Sequence, residues 1–140
     1  MDSGREAYDE LYVYTMGLDR TSFILQHVVD AFTAQTASAE TKPIGLTVAL
    51  VGLYLHAEKQ FSGSQVQRVH MKLGRNKRGW PVIPLPGNRG SMTAADVLAV
   101  PPGRDRDLAI DAWCRSVWTA FCESHQTIVE LLREHRIIET

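Results

Sequence analysis

Apolar residues recur every three or four positions along most of this chain, and that period is typical of helices. Six segments show it, namely 5–17, 23–37, 41–61, 65–73, 93–98 and 104–132. The last segment is long enough to contain a break near Glu123–Ser124, and only Pro81–Leu85 has any of the alternation expected of a strand. The pattern predicts an all-α fold, a small helical bundle of about five main helices that forms a single domain over residues 1–140.

The segment Thr41–Phe61 differs from the others because almost every residue between Ile44 and Ala57 is apolar or small. A helix that is apolar on all sides is surrounded by its neighbours, so this segment is predicted to be the central helix of the bundle. Its apolar run of about fourteen residues is shorter than the roughly twenty needed to cross a bilayer. A buried core helix is therefore the favoured interpretation, and no association with a membrane is expected.

One side of this central helix is almost bare of side chains. Helical spacing places Gly45, Ala49, Gly52 and His56 on that side. A partner helix can approach closely along such a stripe. The imidazole of His56 would then lie at the end of the groove between the two helices.

Composition and cysteine spacing indicate which partners are disfavoured and which cellular location is expected. A formal net charge of -1 gives the chain no general attraction to nucleic acid or to anionic lipid. The opening residues, MDSGREAYDE, lack the features of a secretion signal or an organelle presequence, which favours a cytoplasmic location. Cys114 and Cys122 would lie about 12 Å apart on one helix, too far for a disulfide, so free thiols are expected.

Ionisable residues inside the apolar helices mark a candidate site. His27 and Asp30 are neighbours on the second helix, three residues apart, and His56 lies on the central helix. Two imidazoles and a carboxylate are the ligand set of open-site iron and zinc enzymes, and the same groups can act as acids and bases. Further ligands or supporting partners would be Glu58, His70 and Asp111. The hypothesis implies a divalent metal (zinc, iron, manganese or nickel) or acid–base catalysis, with a small-molecule ligand.

A purely structural interpretation stays open beside this one. An aspartate next to a histidine is often a buried pair whose members hydrogen-bond each other, and Gln35 could cap a helix end or bond a loop carbonyl. The spacing His-x-x-Asp is also less specific than the HExxH motif of metalloproteases. The sequence therefore does not decide whether His27, Asp30 and His56 form a catalytic site, a metal site or a buried pair.

A second candidate surface is basic and precedes Trp80. Its cationic residues are Arg68, His70, Lys72, Arg75, Lys77 and Arg78. Cations around an exposed aromatic side chain could hold phosphates, although the absence of net basic charge makes nucleic acid an unfavoured partner. Residues 75–90 contain three prolines and three glycines and predict a long loop, either functional or a structural cover for one end of the bundle. The alternative to an enzyme is thus a non-catalytic binding module, which could be a homodimer, that uses residues 68–80 and this loop.

Five blocks of sequence stand out in a fixed order. They are HVVDAFTAQ at 27–35, GLYLHAEKQFSG at 52–63, VQRVHMKL at 66–73, TAADVLA at 93–99 and DAWCRSVWTAF at 111–121. In this order they resemble an uncharacterised bacterial domain family that is classified only as a domain of unknown function. The resemblance covers residues 8–122 and implies no established activity, cofactor or catalytic residue.

Two departures from that family's pattern bear on the metal hypothesis. Many members begin with a CPGC-like pair that resembles a zinc site, whereas this chain has no cysteine before Cys114. Some relatives have a histidine where this chain has Leu25. The resemblance therefore offers no N-terminal zinc site and argues against a fixed set of ligands on the second helix.

Overall fold

The chain forms an all-α structure in the computed structural model, which describes residues 3–18, 22–75 and 79–138. Seven α-helices lie within those ranges, at Ser3–Met16 (α1), Ile24–Gln35 (α2), Pro43–Lys59 (α3), Gly63–Gly74 (α4), Ala94–Leu98 (α5), Arg104–Ala120 (α6) and His125–Glu134 (α7). A short 3-10 turn at Cys122–Ser124 separates the last two. The predicted all-α class is confirmed.

The number of helices differs from the prediction of about five, because the short α5 is complete and the long C-terminal segment is two helices. The chain turns at Cys122–Ser124, a segment that contains the predicted break near Glu123–Ser124. The alternation at Pro81–Leu85 does not produce a strand, and no strand occurs in the three described ranges. Proline has no backbone N–H to donate to a neighbouring strand, so repeated prolines leave this segment irregular.

Helix α3 occupies the centre of the bundle, as its apolar sequence predicts. It packs against α2, α4, α6 and α7. Leu50, Val51 and Leu55 have no solvent exposure. In the part of the chain that the structure describes, α3 included, there is no helix whose length and apolar character would let it span a bilayer. The interpretation of Thr41–Phe61 as a buried core helix is therefore confirmed.

Arg89 fastens the irregular segment 79–93 to the end of α2. Its guanidinium donates hydrogen bonds to the carbonyl oxygens of Gln35 at 3.1 Å and Ala37 at 2.8 Å, and to that of Pro86 at 2.7 Å. The last carbonyl groups of a helix have no partner inside the helix, so they require donors from elsewhere. Arg89 supplies these donors and thereby caps α2.

Gln35 ties the same segment to the helical core from the other direction. Its side-chain amide donates to the carbonyl oxygens of Met92 at 2.6 Å and Arg89 at 3.2 Å. Its Oε1 accepts a hydrogen bond from the indole of Trp113 at 3.0 Å. Gln35 thus bonds loop carbonyls, one of its two predicted roles, and these contacts support the interpretation of the loop as a structural cover.

The predicted basic surface is smaller than the sequence suggests. Its exposed members in the described ranges are Arg68, Lys72 and Arg75, and Lys77 and Arg78 lie outside those ranges. His70 turns inward, where its Nε2 lies 3.7 Å from a carboxylate oxygen of Asp30. Trp80 is half-buried against the core and lies parallel to the ring of His135. The histidine of the stretch is therefore removed from the surface, and the tryptophan is only partly available to a ligand.

Candidate functional site

The ionisable residues predicted from the sequence lie between α2, α3, α4 and α6, and the structure divides them into two groups. The ring of His27 stacks on that of His56, with centroids 3.8 Å apart and planes inclined by 27°. Asp30 instead faces His70 of α4. The predicted trio is therefore not one cluster, since its two histidines meet each other and its carboxylate has a different partner.

The first group continues from His56 to α6. Nε2 of His56 lies 2.8 Å from Oδ1 of Asp111, and Oδ2 of Asp111 accepts a hydrogen bond from Nε of Arg115 at 3.0 Å. Arg115 also donates from Nη1 to the carbonyl oxygen of Ala57 in α3, at 2.9 Å. Because Asp111 and Arg115 are one helical turn apart, α6 presents both charges to the same end of α3.

These side chains line a pocket of about 260 Å³ between α2, α3 and α6. Ile24, Phe61 and Ile110 provide its apolar walls. Ligand sites usually measure about 300–1,000 Å³, so this one is small. Its volume corresponds to roughly eight or nine water molecules at about 30 Å³ each. The pocket therefore suits a small molecule and not a polymer.

A larger depression of about 660 Å³ lies elsewhere on α6, beside the irregular segment. Its lining is mostly small and polar, and Arg115 is its one ionisable side chain among the described residues. Volume alone would favour this depression, but its described lining contains no group that can exchange a proton near neutral pH. The smaller pocket is therefore the candidate functional site.

Strained backbone flanks the candidate site. Phe23, just before α2, has φ of 49°, and Gln60, just after α3, has φ of 56°. A left-handed conformation costs a residue with a side chain about 1–2 kcal/mol, and such strain is concentrated at functional sites. The start of α4 holds this region in place, because the N–H of Gly63 donates to the carbonyl oxygen of Ser22 at 2.7 Å. A side chain at Gly63 would collide with the carbonyl group of Phe23.

Burial keeps both imidazoles of the pocket uncharged near neutral pH. It lowers the pKa of His27 to about 3, and the neighbouring His56 adds to the effect. Burial also lowers the pKa of His56, while the carboxylate of Asp111 opposes the shift. Nδ1 of His27 is buried without a hydrogen-bond partner. Each neutral ring therefore offers a nitrogen lone pair to a hydrogen-bond donor, and His56, beside the carboxylate of Asp111, is the stronger base of the two.

The second group, Asp30 and His70, lies over Gly52 of α3. Burial raises the pKa of Asp30 well above its usual value, although the amide of Gln26 donates to Oδ1 at 3.1 Å and acts in the opposite direction. Burial likewise lowers the pKa of His70 to about 4. A methyl group at Gly52 would overlap Oδ2 of Asp30. The bare stripe predicted on the central helix is thus the place where this pair fits.

The metal form of the hypothesis has no supporting geometry in the described ranges. Those residues contain no group of three or more His, Cys, Asp or Glu side chains arranged to hold a metal ion. Stacked imidazoles present their faces to each other and not their nitrogen lone pairs, and Asp30 faces His70. Of the predicted supporting residues, Asp111 joins His56, His70 joins Asp30, and Glu58 is exposed.

We expect acid to destabilise the fold partly through His70. The unfolded chain protonates this imidazole near pH 6.5, whereas the pKa in the folded protein is about 4. Between these values the unfolded state holds more protons, so the free energy of unfolding falls as the pH drops, by up to about 3 kcal/mol from this residue. Denaturation of the wild type and of His70→Gln at several pH values would measure the effect, and the variant should lose less stability.

A second variant checks the sign of this pH dependence. Asp30 acts in the opposite direction, because a carboxyl group with a raised pKa stabilises the folded state at low pH and loses that contribution as the pH rises. Asp30→Asn should therefore lose more stability than the wild type on acidification. Identical slopes in the wild type and in His70→Gln would contradict the prediction.

The protein is thus an all-α protein that holds an imidazole and carboxylate pocket between three of its helices. Residues 3–122 match the model of a family of unknown function, DUF5946, and the chain belongs to that family. The matched range contains α1 to α6 and hence the whole lining of the pocket. No curated protein and no solved structure matches the chain. The predicted resemblance to an uncharacterised domain family is confirmed.

Proposed function

We propose that this protein is a small acid–base enzyme whose active site is the pocket between α2, α3 and α6. The observation that carries this proposal is the position of His56. Its ring lines the pocket, stacks on His27 and places Nε2 2.8 Å from Oδ1 of Asp111. A neutral imidazole in contact with a carboxylate, in a cavity that can hold a small molecule, is an arrangement suited to removing a proton from a substrate.

The division of roles follows from the contacts. His56 acts as the general base: its Nε2–H faces Oδ1 of Asp111, so the ring takes the substrate's proton on Nδ1. The carboxylate stabilises the imidazolium that forms, as in other histidine–carboxylate pairs. Arg115 fixes the orientation of Asp111 through its hydrogen bond to Oδ2. Nδ1 of His27 is an acceptor for an N–H or O–H group of the substrate.

Proton exchange from a small ketone tests this function without knowledge of the natural substrate. In heavy water, a general base breaks the α C–H bond of cyclopentanone, the electron pair enters the enolate, and the carbon then takes a deuteron from solvent. Proton NMR would follow the loss of the α signals. We expect the wild type to accelerate this exchange and His56→Gln to slow it on the order of 10²-fold.

Two further variants make the test specific. Asp111→Asn should also slow the exchange, because the imidazolium would lose its stabilising charge. His125→Gln replaces a histidine that does not line the pocket and should retain the wild-type rate. A wild-type rate no higher than that of buffer, or an unchanged rate in His56→Gln, would reject the acid–base function.

A further inference from the structure

A second carboxylate lines the candidate pocket one helical turn before Asp111. Oδ1 of Asp107 accepts a hydrogen bond from the hydroxyl of Tyr14 at 2.9 Å, and that hydroxyl accepts one from the backbone N–H of Gly103 at 3.1 Å. The guanidinium of Arg106 lies 4.7 Å from the centre of the Tyr14 ring. The carboxylate of Asp107 is therefore held in position by a residue of α1.

Among the described residues that line the pocket, no cationic side chain is bonded to Asp107. Arg115 is already bonded to Asp111 and to the carbonyl oxygen of Ala57, whereas the hydrogen-bond partner of Asp107 is an uncharged phenol. With both imidazoles neutral, the charged groups that the described residues place in the lining are two carboxylates and one guanidinium. These described groups thus give the pocket one net negative charge, on the side of Asp107.

An independent observation, an unpartnered buried nitrogen, points to a ligand for this pocket. His27 is only 5% exposed, its ring lines the cavity, and its Nδ1 has no hydrogen-bond partner. A buried polar atom without a partner is unusual in a native protein. A bound molecule with an N–H or O–H group would supply the partner that the protein does not.

We propose that the ligand of this pocket is a small molecule with a protonated amine, whose ammonium group is held by Asp107 and whose remainder reaches His27 and His56. This inference rests on the proposed function, since it names the substrate class of the same site. An ammonium group carries only donors and pairs well with a carboxylate. An anion of equal size would be repelled by Asp107 and Asp111. The apolar walls accommodate the hydrocarbon part of either molecule, so charge decides between them.

The experiment compares n-butylammonium with n-butyrate at fixed ionic strength and pH 7.5, using the histidine ring signals in NMR spectra as the reporter. We expect butylammonium to shift the signals of His27 and His56 with a Kd at least about tenfold lower than that of butyrate. Asp107→Asn should reduce this preference to less than about twofold. Asp105→Asn makes the same change in net charge on an exposed residue of α6 outside the pocket and should keep the preference.

A second variant covers the case in which Asp107→Asn does not fold. Tyr14→Phe removes only the hydroxyl that positions the carboxylate and should lower the preference for butylammonium several-fold. Equal binding of the two ions, stronger binding of butyrate, or a preference that survives both variants would overturn the assignment. A preference for butylammonium without exchange dependent on His56 would reject the acid–base function and retain the ligand class. Exchange that depends on His56, without a preference for butylammonium, would overturn the ligand class and retain the acid–base function.

Discussion

Replacement of Gly52 by alanine is expected to destabilise the protein by about 3 kcal/mol, the upper end of the usual range for adding bulk to a packed core. The added Cβ would overlap Oδ2 of Asp30 and lie only 3.0 Å from Nε2 of His70. Asp30 cannot easily move aside, because it is buried and its Oδ1 is bonded to Gln26. In an open helix the same change would be favourable by about 1 kcal/mol, so the predicted effect has the opposite sign.

Gly45→Ala is the matched control, because Gly45 belongs to the same helix and its added Cβ would meet only Cγ2 of Thr41, at 4.0 Å. This variant should be more stable than the wild type by up to about 1 kcal/mol. Urea denaturation would measure both changes. In a double variant with Asp30→Ala, the cost of Gly52→Ala should shrink, because the atom that blocks the methyl group is gone. Similar effects of alanine at the two glycines would contradict the structure.

The second large effect is expected from Arg89→Ala, which should lower the free energy of unfolding by about 2–3 kcal/mol. The change removes the donors for the carbonyl oxygens of Gln35 and Ala37 at the end of α2, and for that of Pro86 in the irregular segment. Hydrogen bonds from a charged donor are worth about 1.5–3 kcal/mol each. Water can replace part of the lost hydrogen bonding in the variant, because Arg89 is only half-buried. Urea denaturation would give the total loss.

Hydrogen exchange locates the effect of Arg89→Ala, since the amide protons in the last turn of α2 should exchange faster than in the wild type. Arg89→Lys keeps the charge, but lysine lacks the planar guanidinium that bonds several carbonyl oxygens at once. It should therefore recover less than half of the stability lost in Arg89→Ala. Arg104→Ala removes an exposed arginine and should change stability by less than about 0.5 kcal/mol. Full stability in Arg89→Lys would show that charge alone, and not the bonded geometry, matters at this position.

The helices could be predicted because their signals are local. The apolar period marked each segment, and the continuous apolar run identified α3 as the central helix. The stripe containing Gly52 even predicted where a neighbouring helix comes close. The partner of Asp30 could not be predicted, because it depends on which turn of α4 faces α2. That register is set by tertiary packing, and the period of a single helix carries no information about it.

The rest of the site had a weak signal in the sequence. Asp107, Asp111 and Arg115 recur every four residues, so they share one face of the predicted helix. Only Asp111 was a candidate on sequence grounds, because a charged face is equally typical of a helix in contact with water. The distinction requires knowledge that α6 crosses the end of α3 beside His56. Long-range contacts of this kind are settled by the packing of the whole bundle.

The cap on α2 has a consequence for the order in which the chain can fold. Arg89 reaches the carbonyl oxygen of Ala37 across 52 positions in sequence. A ribosome adding about 5–20 residues per second needs roughly 3 to 10 s to cover that distance. During this time the last turn of α2 has emerged without its donors. The last turn of the helix that provides His27 is therefore capped only when a later and irregular part of the chain arrives.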